Sequence, residues 1–195
     1  MIGEMNMKIT KVKLHKIIKE ELGAVVGLGL APLNMTGTLM EPVSLDSELM
    51  GLLSYLRCAN VWFHAAHNLT KGVGFAGDHV NIYGEIYDAL VDDYDGAAEK
   101  AIGLTENESV ACPHAVMASA LQKMQKYSTP AGAPASAIAG TALQIMRDLN
   151  EHVEQVFENL DSEGLLALGL NDFLAAAAND YTKYIYLLQQ RTKES

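Results

Sequence analysis

Three histidines and two carboxylates in this chain stand at spacings that suit a cation. His64 and His67 lie near the end of one helical stretch, and His79 lies near the start of the next. The turn between them, Lys71-Gly72-Val73-Gly74, is so short that the two helices must be antiparallel neighbours. His67 and His79 each sit roughly one to one and a half turns from it, so the pairing brings them to similar heights, flanking one spot. A histidine near a helix end is also commonly just solvated or bonded to a free carbonyl, and that alternative stays open. Further along the second helix Asp95 and Glu99 are four residues apart, so both project from one face and two hard oxygen donors can share a cation. Acids at this spacing are common on solvated helices too. From His79 to Asp95 is sixteen residues, about 24 Å of helix at the usual rise, so one chain cannot close a site from both pairs. A two-fold dimer can, if the second helices of two subunits run antiparallel and the histidine end of one meets the Asp/Glu end of the other. Mixed imidazole and carboxylate donors with open positions suit ferrous iron that is oxidised in place, with zinc as the other candidate.

The elements that must hold these residues read as helices. Apolar positions recur at helical spacing along most of the chain, which is rich in Ala, Leu and Met and has five prolines, so an all-α fold is expected. Ser44 suits an N-cap, with Asp46 and Glu48 in the first turn of a helix running to about Thr70. A second long helix is expected from about Phe75 to Ile102, stopping at Gly103, and a short one from Pro113 to about Tyr127. Two more long helices follow, from about Ala135 to Leu160 and from about Leu165 to Arg191. Four long helices with a short extra one in the crossover between the second and third is the arrangement of a ferritin-like four-helix bundle. Residues 44–195 are expected to form that bundle, and residues 1–43 a basic N-terminal helix and an extended, glycine- and proline-punctuated arm.

The bulk properties agree with one helical domain. A chain of 195 residues, 49% apolar, buries one sizeable core. Its formal charge of −10 disfavours nucleic acid and favours cations, but the charge is uneven: Lys8, Lys11, Lys13, Lys16 and Lys19 crowd the first twenty residues. Glu151, Glu154, Glu158 and Asp161 form an acidic stripe on the third long helix. Its default explanation is a solvated face; in a hollow shell it lines a cavity or pore and draws in Fe²⁺. Tyr181, Tyr184 and Tyr186 read as core or interface residues. Cys58 and Cys112 are isolated, which fits reduced thiols in a cytoplasmic protein, and no apolar stretch is long enough to span a bilayer. No E-x-x-H motif occurs, which disfavours a di-iron centre inside a single bundle.

The segment HNLTKGVGFAGDH, from His67 to His79, and the run DGAAEKAIGL, from Asp95 to Leu104, resemble the signature of the Dps mini-ferritins. The likeness is strongest over Leu52 to Leu104. It implies an intersubunit ferroxidase site, with His67 and His79 as ligands from one subunit and Asp95 and Glu99 from its two-fold partner, in a homo-oligomeric hollow dodecamer. Such a shell would oxidise Fe²⁺ with peroxide or oxygen, store the ferric product and protect against oxidative stress. Typical members carry an Asp four residues after the second histidine, where this chain has Tyr83, and a tryptophan just after the first histidine, where it has Asn68 and places Trp62 five residues before. The interval from His79 to Glu99 is one residue longer than usual, which a π-bulge can absorb. Glu85, Asp78 or His64 would then stand in as further metal ligands. In many Dps proteins a lysine-rich tail binds DNA, a role the five leader lysines could take beside the nucleoid. The stretch from Met7 to Leu22 is also similar to leaders on marine tailed-phage proteins, which would make the protein virion-associated. The alternative to a ferroxidase is a non-catalytic ferritin-like shell or a DNA-binding or virion-associated structural protein.

Overall fold

The computed structural model describes residues 43–193, which are helical, with no strand among them. Helix α1 spans Leu45–Leu69; a π-helical segment, Gly77–Gly84, leads directly into α2, Glu85–Thr105; α3 spans Pro113–Met124, α4 Ala135–Ser162 and α5 Leu168–Thr192. A short 3₁₀ turn, Glu108–Ala111, lies in the crossover before α3.

Helix α1 starts where expected: the Ser44 hydroxyl accepts from the Ser47 backbone N–H, satisfying a donor that the first turn cannot. The second long element starts near Phe75 as expected, and residues 77–84 are π-helical, the form the sequence allowed for the long interval after His79. It departs from the expectation at its end, where Gly103 does not stop it; the helix runs to Thr105 and ends on Glu106 in the left-handed region, φ 53°. The Glu106 N–H still reaches the Ile102 carbonyl, so the chain leaves through an ordinary helix exit built on a non-glycine residue. The fifth helix starts at Leu168 rather than Leu165, because Gly164 at φ 70° ends the preceding turn and the chain stays extended until Ala167.

Around the bundle-like core α1 packs on α2, α2 on α5, α5 on α4 and α4 back on α1, while α3 lies against α1. The cause is visible in α4, where Ile138, Ala142, Ile145, Leu149, Val153, Val156 and Leu160 are buried at three- and four-residue steps. Helix α1 is buried over more of its circumference, since α2, α3 and α4 all cover it. That shelter fixes the height of His67 against α2.

Candidate metal centre

His67 and His79 come together as a stacked pair, ring centroids 3.8 Å apart and planes 18° from parallel. Each is half-buried, and each Nδ1 reaches the other's backbone carbonyl: His67 Nδ1 to His79 O at 2.7 Å, His79 Nδ1 to His67 O at 2.6 Å. A carbonyl oxygen only accepts, so both Nδ1 atoms donate, and in a neutral ring the lone pair then sits on Nε2. That is the arrangement in which histidines ligate metals, with the second nitrogen anchored to a carbonyl. The sequence left two readings open, carbonyl-bonded or ligating; the structure shows the carbonyl bonds, which in a neutral ring leave Nε2 as the atom with the free lone pair. Near-parallel rings do not aim their in-plane lone pairs at one point, so the stack offers two separate donor positions rather than a single chelate.

Aromatic rings continue the stack on both sides. Phe75 lies 4.9 Å from His79, and Tyr87 lies 6.3 Å from His67 and 4.6 Å from His64. His64 is exposed and spends its face on Tyr87 rather than joining the pair.

The other residues singled out in the sequence are placed elsewhere. Asp78 is 2% exposed and held bidentately by Arg191, Nε to Oδ1 at 2.7 Å and Nη2 to Oδ2 at 3.0 Å, so both its oxygens are engaged by the end of α5. A charge so buried requires a partner, and the guanidinium fork supplies it. Glu85 is exposed, with its carboxylate 3.7 Å from Lys183 Nζ on α5. Tyr83, the position where an acid was expected, faces the core, fully buried against Phe63 with its hydroxyl unpartnered. Asp95 and Glu99 are exposed on α2 and make no hydrogen bond or ion pair among the described residues. Among those residues, no three His, Cys, Asp or Glu side chains converge to hold a metal ion.

Glu151, Glu154, Glu158 and Asp161 are all exposed, and Glu154 accepts from Asn150 Nδ2 at 2.7 Å. Tyr181 and Tyr184 are buried, whereas Tyr186 is exposed. The leader lysines Lys8, Lys11, Lys13, Lys16 and Lys19 lie outside the described residues. No helix among the described residues is long and apolar enough to cross a membrane.

Sequence reasoning missed three buried polar assemblies. Arg191 clamps Asp78; Tyr181 donates to Asp93 at 2.7 Å; Tyr127 bonds both Tyr55 and Asp148. Burial raises Asp93, and the Tyr181 hydrogen bond only partly offsets it. These pairs join residues 21 to 113 positions apart, and no local spacing announces them. Burial also pushes the Cys58 thiol up to about 11, which removes it as a nucleophile. No protein family and no curated protein compared with the chain matches it.

Proposed function

We propose that this chain is a ferritin-like, Dps-type protein that binds and oxidises Fe²⁺ at sites shared between two-fold related subunits, storing the ferric product. The observation that carries this reading is the imidazole pair, anchored through both Nδ1 atoms and open at both Nε2 atoms. Two nitrogen donors do not complete a coordination shell, and ferrous iron takes carboxylates readily beside imidazole. The exposed Asp95 and Glu99, one helical turn apart and otherwise uncommitted among the described residues, are the complementary half. With their α2 helices antiparallel across a dyad, one protomer's histidines meet the partner's Asp95 and Glu99. Iron is the substrate; the chain's own residues bind it, hold the imidazoles in one tautomer and bring the second set of donors.

The test is anaerobic addition of Fe²⁺ to the metal-free protein followed by peroxide, read as growth of ferric absorbance. His67→Ala and Glu99→Ala should each slow it at least ten-fold while keeping helical content. Unchanged rates in both would reject the site.

A second reading, a shell that binds without turnover, is favoured by one observation. With Asp78 locked to Arg191 and Tyr83 turned into the core, the histidine half of the site brings no carboxylate of its own. The same experiment separates the two: that reading gives tight Fe²⁺ binding with no peroxide-dependent absorbance.

A further inference from the structure

Gly84 is the last residue of the π-helical segment, buried, and at an ordinary helical φ of −64°. It is therefore not a glycine required by a left-handed backbone; what matters is space. A Cβ built there would lie 2.8 Å from the His79 carbonyl oxygen and 3.2 Å from His67 Nδ1. Those two atoms are the acceptor and donor of one of the bonds that hold the stack. The carbonyl belongs to the backbone of a packed helix and cannot swing aside as a side-chain tip can. Glycine inside a helix is less stable than alanine, so here close approach outweighs propensity.

The π-helical segment decides which residue occupies this place. In a regular α-helix the residue four after His79, Tyr83, shares its face. A π turn holds one more residue, so the fifth, Gly84, comes round to the imidazoles while Tyr83 turns inward.

We propose that Gly84 is the positioning residue of the imidazole pair, delivered by the π-helical segment so that His67 Nδ1 keeps its carbonyl acceptor and Nε2 stays free for a divalent cation. The histidine half of the site then presents nitrogen donors alone, and balancing a metal's charge falls to the partner's carboxylates. The metal-binding part rests on the function proposed above; the positioning part does not.

Full-length wild type, Gly84→Ala and Gly77→Ala are compared. Gly77 opens the same segment with nothing within 4 Å of a built Cβ, so it controls for helix propensity. The metal-free proteins, labelled in histidine, are read at pH 8 by the imidazole ¹⁵N resonances; Co²⁺ is then titrated and followed by its visible absorption. Wild type and Gly77→Ala should show both rings protonated on Nδ1 and equal Co²⁺ affinity. Gly84→Ala should keep its far-UV circular dichroism, lose the Nδ1–H signature of His67 and bind Co²⁺ at least ten-fold more weakly. Gly84→Asp should weaken binding as well, although it adds a carboxylate. A wild-type signature and affinity in Gly84→Ala, or a metal-free wild type with His67 protonated on Nε2, would overturn the proposal. A signature lost in Gly84→Ala beside a wild type that takes up no Co²⁺ would uphold the positioning role and reject the metal reading.

Discussion

At the scale of single residues, histidine plays opposite parts in this molecule. His67 and His79 are half-buried with one nitrogen anchored, whereas His152 lies against Tyr55 in the bundle, with ring centroids 5.0 Å apart and Nε2 unpartnered. Burial first, then the charge of Lys123, presses its pKa down to about 4. The sign of the pH effect follows. As pH falls below about 6.5 the unfolded chain takes up a proton that the folded one refuses, so the contribution of His152 to stability is lost progressively down to about pH 4. Between pH 7 and pH 5 wild type should lose ~2 kcal/mol more than His152→Gln, measured by denaturant unfolding at both pH values. Equal losses in the two proteins would show that His152 is already protonated in the fold.

At the scale of elements, α2 meets irregular geometry at both ends. The π-helical segment before it sets Gly84 against the His67 ring, and its other end carries Glu106 at φ 53°, a conformation that strains a residue with a Cβ. Glu106 lies seven residues, about two turns, beyond Glu99, so relieving the strain should stabilise without touching function. Glu106→Gly should raise stability by ~1 kcal/mol, seen as a higher denaturation midpoint with an unchanged slope and an unchanged rate of iron oxidation. A lower midpoint would mean that the glutamate side chain contributes more than its backbone strain removes.

At the scale of the whole molecule, an exposed apolar rim follows the chain from just after His67 to just after His79: Leu69, Val73, Phe75 and Val80 are 42%, 111%, 44% and 58% exposed. Under the proposed function this rim is covered by the two-fold partner, which also excludes water from the metal. Replacing Phe75 and Val80 together by Asp should shift the protein to smaller species in sizing chromatography and abolish iron oxidation, while leaving far-UV circular dichroism intact. An assembly and a rate unchanged by both substitutions would place the partner elsewhere.

The helical class was legible in the chain because apolar residues recurring every three or four positions specify a buried helix face whatever surrounds it, as along α4. The turn after Leu69 and the equal distances of His67 and His79 from it likewise predicted their meeting, since an antiparallel pair leaves little freedom in register. Tertiary structure alone decided what local spacing cannot express. Arg191 claims Asp78 across 113 residues, the Tyr83 ring turns into the core, and Gly84 comes round to the imidazoles. Each depends on which groups the packed bundle leaves desolvated. A buried charge must find its counter-charge and a buried ring must find volume, and neither demand exists until the helices have closed on one another.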